Sequence, residues 1–529
     1  MSEPTLSEGN GTPSRRLSKP AMGLVAGLLA GTLYGVSTQW ALVTISAAAL
    51  GGAALGTLLG VLTEAWARHA AGEGRFTGLV IFLVALAGLG LVSGSRLEKH
   101  SADNHFVYLA DSLNHGTLAM RKRPPHGNDW AKVTTLTLKD GRTVRGRWWH
   151  AAGKRAFRTT SGRILQVPPG SLKHRKVTWY VSFPPLPGIL MMPGVAIWGY
   201  HFNDVWFTIL FAALNPLLAF FLLAELKRLG HTNLSRTNRL WLTFFLTFGT
   251  VHFYSAVMGE VWYTAHIVGI SFMLAFLYAA LRAAYPLAAG MLLVSGFITR
   301  TPMLFAFPFF LFQLIDPSAS SENLRDYLSR IDVRRIWKKG MAFALPVLIV
   351  GLWMAAINQA RFGSWSEFGH RYLQIRWAGR IERWGLFSIY YIPRNLSVAF
   401  TLLPYVRLKA PYITISRHGI SLLATTPLLF YVLWPKQRGP LHLPSWLSIA
   451  PMALAHFMYQ NSGYVQFSYR FSLDYTPLLL VLLTMTGRPL GKWAKFLILW
   501  GLAWQTFGAL SFGRWPQFYA HGDWLFVVT

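Results

Sequence analysis

The 529-residue chain contains no cysteine. That excludes disulfides, thiolate nucleophiles and thiolate-held metals, although it does not fix a compartment. Charge is scarce too: Asp, Glu, Lys and Arg make up 13% of the chain, about half of what a soluble domain carries. Acidic residues are rarest, 20 against 50 basic ones, giving a formal net charge of +30. What is abundant is apolar surface, with 53% hydrophobic residues and a mean hydropathy of +0.35. Apolar runs near twenty residues recur, the length a helix needs to cross a hydrocarbon layer. A lone secretory signal cannot account for so many. In a soluble protein the basic excess would point to nucleic acid. Here much of it lies in loops and at the ends of apolar runs, where cytoplasmic loops and anionic headgroups collect it. Membrane lipids, and not nucleic acid, are the expected partners.

The expected fold class is an all-α polytopic membrane protein of about 11–13 transmembrane helices. Candidate spans fall near 21–41, 43–64, 77–95, 204–226, 240–257, 262–284, 286–300, 302–316, 341–359, 418–434, 446–459, 470–486 and 493–513. The segment 389–408 reads as a half-span or surface helix. Residues 1–19 are Ser-, Pro- and Gly-rich and read as a disordered cytoplasmic tail. The remaining divisions are transmembrane helices at 20–95, a large external loop at 96–203, central helices at 204–359, an external Arg- and aromatic-rich loop at 360–417, and C-terminal helices at 418–529. Short-loop basicity sets the orientation: Arg15, Arg16 and Lys19, then 227–239, the run ending at Lys339, and 435–439 all fall inside. The parity works only if 186–200, rich in Pro and Gly, lies at the interface without crossing. Within the large loop, alternating β-rich runs turn at Asp140-Gly141 and Ser161-Gly162. They predict β-hairpins, hence a small external β-module at about 130–180. Two hairpins alone are marginal, so the module should pack on the helices.

Five stretches carry ionisable groups worth weighing. In SADNHFVYLADSLNHG (101–116), helical spacing puts Asn104, Tyr108, Asp111 and His115 on one stripe and apolar residues on another. The plain reading is an amphipathic helix on the membrane face with a solvated polar side. HFYSAVMGEVWYTAH (252–266) places His252, Glu260 and His266 around the outer end of a helical hairpin. Their spacing matches no established metal motif, and a hydrogen-bonded helix cap explains them equally well. Arg300 sits between two half-length apolar runs, where it could bind phosphate or snorkel to headgroups. Arg371, Arg376, Arg380 and Arg383 could form a phosphate clamp or a lipid-facing basic helix. Arg470 and Asp474, four apart on an expected helix, should pair with each other.

Several of these pieces resemble one family. DNHFVYLADSLNHGTL, YVSFPPLPGILMMPGVAIWG, NDVWFTILFAALNPLLAFFLLAELKRL and the late QFSYRFSLDYTPLLLVLL look like segments of GT-C glycosyltransferases, the group holding protein O-mannosyltransferases, lipid A aminoarabinose transferases and bacterial family-39-like members. The likeness covers roughly 95–310 and 460–485. The chain departs from the pattern in two extra leading spans, in the inserted β-module, and in Asp103-Asn104 where the family has an acidic pair. That last change weakens any role for a divalent metal, the one cofactor the resemblance leaves room for.

The resemblance implies transfer of a sugar from a polyprenyl-phosphate carrier to a lipid, glycan or protein acceptor. Transfer would occur on the outer face of a bacterial inner membrane, with inversion at the anomeric carbon. Asp103 is then the expected general base, Asp111 the reserve, and Glu260 an orienting acid. His105, Tyr108, His266, Arg300, Arg376, Arg380 and Arg470 are the expected substrate contacts. Arginine suits a phosphate leaving group because it stays charged and binds bidentately. The rival readings are a lipid-linked sugar transporter or flippase, an O-antigen ligase-like enzyme, and a non-enzymatic scaffold with a sensory β-module. A transporter would need mid-membrane polar groups and inverted repeats, and no repeat is evident.

Overall fold

The computed structural model describes residues 17–149, 153, 155–318, 324–375 and 377–520. Most of the expected tail, Arg376 and the last nine residues lie outside that range. The described chain is mostly helical with one small antiparallel sheet.

Among the described residues, six helices are long and apolar enough to cross a membrane. They are α1 (Lys19–Thr38), α2 (Leu42–Glu73), α3 (Thr77–Ser93), α6 (Asp204–Arg228), α9 (Val261–Ala280) and α13 (Val333–Phe362). Between them lie α4 (His105–Asn114), α5 (Leu186–Trp198), α7 (Arg236–Phe248), α8 (His252–Ala256), α10 (Pro286–Phe297), α11 (Phe307–Ile315) and α12 (Leu324–Ser329). Leu29, Leu33, Val84, Leu91, Leu348 and Leu352 stand exposed on α1, α3 and α13. An apolar belt of that extent belongs in lipid.

Several of the other expected spans are shorter or broken. Hydropathy does not separate a chain facing lipid from one packed inside protein. The run at 240–257 breaks at Gly249 into α7 and α8, and 418–434 breaks into short turns around Pro427. The run at 470–486 becomes a 3₁₀ turn, Arg470–Asp474, and an eight-residue helix, Thr476–Leu483, whose residues are all buried.

Helices α1 and α2 pack through glycine. Gly23, Gly27 and Gly31 recur every fourth residue, and a methyl added to Gly27 would lie 2.0 Å from the Gly52 carbonyl oxygen. Only the missing side chains allow this approach. Helix α9 is central: every residue except Trp262 is buried, against α6 on one side and α10 on another.

The sheet has five strands where two hairpins were expected: β1 (Trp130–Leu138), β2 (Thr143–Trp148), β3 (Ala156–Thr159), β4 (Ile164–Gln166) and β5 (Leu172–Val181). Their order is β4-β3-β2-β1-β5, with turns at the two expected glycines. The sheet docks on the helices, as its small size requires. Ala131, Val133 and Tyr180 pack on Phe362 and Tyr372. The Arg145 guanidinium donates to the Arg361 carbonyl, and that of the buried Arg361 donates to the Val181 carbonyl.

Helix α4 corrects the picture of a surface helix. Nine of its ten residues are buried, Asp111 and Asn114 included. It packs against α5 and touches β5 and α2. Its polar side faces protein rather than water.

Candidate functional site

The start of α9 gathers three acids. Glu260 is its N-cap residue. The next amide, Val261 N–H, donates to the Asp103 carbonyl at 3.0 Å. The residue after it, Trp262, donates its indole N–H to Asp129 Oδ2 at 2.9 Å. Three consecutive residues thus bring together the Glu260 side chain, the Asp103 backbone and the Asp129 carboxylate. All three acids remain partly exposed.

Burial shapes their chemistry. It raises the Asp103 carboxyl above its ordinary range, against the opposing pull of His126 and Asn128. It pushes Asp129 up to about 6, with the Asp103 charge adding to the effect. Glu260 is pushed up to about 7, by burial and then by Asp103. His126 Nε2 lies 3.3 Å from Asp103 Oδ1, but its hydrogen bond goes to the Ala102 carbonyl. Asp103 Oδ1 accepts no hydrogen bond. A carboxylate oxygen with a raised proton affinity and no donor is poised to take a proton.

Asp129 was not among the sequence candidates. Its backbone φ is +57°, in the left-handed region that Asp tolerates but few residues choose. Strain held at such a position marks functional sites more often than ordinary turns. The Asn128-Asp129 pair at the entry to β1 was the readable signal. His105, an expected substrate contact, is instead fully buried, stacked on Trp130 at 3.7 Å, with Nε2 bonded to the Asn128 carbonyl. Burial lowers its pKa to about 3, so it stays neutral and braces the Asn128-Asp129 turn.

The other expected residues separate into three places. Asp111 is satisfied: it accepts from Tyr200 Oη at 2.5 Å and from Arg121 at 3.2 Å. Tyr108 sits between Trp130 and Tyr200. His266 and Arg300 both hold the buried Asp474, together with His456. Asp474 therefore pairs with Arg300 and not with Arg470, because residues 470–474 form a 3₁₀ turn and not the α-helix the spacing assumed. Arg470 Nη1 donates instead to the Val465 carbonyl, and its charge acts on both Asp129 and Glu260. Both guanidiniums flank one ring, at 5.6 Å (Arg300) and 5.7 Å (Arg470) from the Phe471 centroid.

No family model, curated protein or solved structure matches this chain.

Three of the four clamp arginines lie among the described residues, and they go to different partners. Arg371 pairs with Glu367, Arg383 lies over Trp384, and Arg376 is outside the described residues. Arg380 alone of the rest lines a pocket. As for a metal, no three His, Asp or Glu side chains among the described residues stand close enough together to hold one. The acids at α9 contrast with those elsewhere. Glu225 is held by Arg68 and Arg228, Glu73 by Arg239, and Asp474 by Arg300. Among the described residues, no Lys or Arg forms an ion pair with Asp103, Asp129 or Glu260.

Proposed function

We propose that the protein is a membrane glycosyltransferase of the GT-C kind, moving a sugar from a polyprenyl-phosphate carrier to an acceptor on the non-cytoplasmic face. One observation carries the reading: three carboxyl groups that no Lys or Arg among the described residues pairs with, drawn together at one helix start with raised proton affinities. Glu225, Glu73 and Asp474 are each paired with arginine, whereas these three are not, and acid–base chemistry supplies a reason.

In this reading Asp103 is the general base. The acceptor hydroxyl gives its proton to Asp103 Oδ1 as its oxygen attacks the anomeric carbon. The bond from that carbon to the carrier phosphate breaks, and its electron pair leaves with the phosphate oxygen. One displacement inverts the centre. Burial keeps the Asp103 proton affinity high, and the Asp103 charge in turn raises that of Asp129 and Glu260. Arg470, anchored on Val465 with its charge acting on Asp129 and Glu260, stabilises the negative charge growing on the phosphate. Arg300 is a framework residue, committed to Asp474. Positioning both substrates at one interface supplies further rate.

The test is product analysis in proteoliposomes given labelled polyprenyl-phosphate sugars and extracted envelope acceptors. Transfer with inverted anomeric configuration supports the reading. Transfer with retention, or none from any carrier, contradicts it.

A further inference from the structure

Beside the acids lies a pocket that the reading above does not use. It is an open recess, about 370 Å³ when the solvent at its mouth is counted, between Trp377, Arg380, Arg394, His418, Gln460, Asn461, Ser462 and Tyr464. Trp377 lies in the loop before α14 (Ala378–Trp384), and Arg394 is on α15 (Ile392–Phe400). We propose that this pocket binds one sugar ring carrying a phosphate or carboxylate group.

The lining has the three components such a ligand needs. First, two guanidiniums share the cavity, and neither forms an ion pair with a carboxylate among the described residues. Arg394 is held in place, donating to the Gln460 carbonyl at 2.7 Å and to Asn395 Oδ1 at 3.1 Å. Burial and the nearby Arg380 charge push its pKa down to about 10. Two like charges crowded in a partly buried space cost energy that an anion between them would remove.

Second, Trp377 and Tyr464 form an aromatic corner, their rings 5.3 Å apart and nearly perpendicular. Arg417 fixes Tyr464 through its hydroxyl. A sugar presents C–H faces to such rings and hydroxyls to the rest. Third, the floor offers polar groups aligned for hydroxyls. Gln460 is 3% exposed, and its Oε1 accepts no hydrogen bond. The Asn461 carbonyl oxygen already accepts from the Gly463 and Tyr464 amides, which leaves its amide N–H₂ for a ligand.

The pocket also meets the acids. Tyr464 precedes Val465, whose carbonyl anchors both Arg470 and Tyr263. Gln374, three residues before Trp377, donates its amide N–H to the carbonyl of Trp130, next to Asp129. The ligand could be the sugar phosphate of the donor, which rests on the transferase reading, or a free anionic saccharide, which does not.

Equilibrium binding to the full-length protein in zwitterionic nanodiscs tests this, with glucose 1-phosphate, glucose and inorganic phosphate as probes. Glucose 1-phosphate is expected to bind at least about tenfold more tightly than either of the others. Arg380→Gln should weaken it about tenfold, and Trp377→Ala should remove its advantage over inorganic phosphate. Equal affinity for wild type and Arg380→Gln overturns the proposal, as does phosphate binding as tightly as glucose 1-phosphate. Displacement by a short-chain glucosyl polyprenyl phosphate assigns the site to the donor, and failure to displace assigns it to a free saccharide. Transfer activity without glucose 1-phosphate binding sinks the pocket alone. Binding without transfer from any carrier sinks the transferase reading alone.

Discussion

Arg300 grips Asp474 at two points, Nε 3.0 Å from Oδ1 and Nη2 2.8 Å from Oδ2. The carboxylate is fully buried, and His266 and His456 complete its surround at 2.9 and 3.0 Å. The cluster ties α9, the loop after α10, the helix His442–Met458 and the 470–474 turn into one unit. Removing one member leaves a buried charge alone, which costs about 3–5 kcal/mol. Arg300→Ala and Asp474→Ala should each lower the melting temperature of the detergent-purified protein by several degrees. The double variant should lose less than the sum. Additive losses would mean that the two do not interact.

Activity and stability should move in opposite directions with pH. The base must be ionised, and burial raises Asp103, Asp129 and Glu260, the last two to about 6 and about 7. The transfer rate should therefore climb with pH through a range above that of an ordinary carboxylate, as Asp103 ionises. A carboxyl group that holds its proton more tightly folded than unfolded stabilises the fold at low pH, and loses that contribution as pH rises through its folded pKa. Melting temperature should accordingly fall across the same window. Glu260→Gln should flatten that fall, as read by thermal melts at pH 5 and 7.5.

The glycine contact between α1 and α2 predicts a local failure. Gly27→Val would push a side chain into the Gly52 carbonyl. Helix α1 should detach, exposing its linker to protease, while the acids at α9, on other helices, keep their geometry. Limited proteolysis of membranes would report the detachment. An unchanged digestion pattern would show that the helices tolerate separation.

Because the chain has no cysteine, single introduced cysteines report sidedness without background. Ser161, at the exposed tip of the β3–β4 turn, and Arg438, in an exposed loop, suit this. In intact cells an impermeant maleimide should label Ser161→Cys and spare Arg438→Cys until the membrane is opened. The reverse pattern would put the acids on the cytosolic side and remove access to an outward-facing donor.

The sequence made the six long apolar helices legible, along with both hairpin turns, because length, periodicity and turn chemistry are local. It misled where apolar runs pack inside protein, as at Leu478–Leu483. It also misled where a four-residue spacing was taken for an α-helix, as at Arg470 and Asp474. Asp103 and Glu260 could be named as candidates, but nothing local shows that the Val261 amide meets the Asp103 carbonyl. Asp129 was passed over because its environment is made by Trp262, 133 positions away. Which arginines are committed to partners is likewise a long-range fact: Arg300 reads as solitary until Asp474 is found beside it.

The most direct measurement of the central claim compares wild type with Asp103→Asn for labelled sugar transfer in proteoliposomes, at matched protein and with melting curves for both. Loss of the base should cut transfer by about 10²–10⁴-fold while the melting temperature holds. Transfer by Asp103→Asn at the wild-type rate would contradict the account.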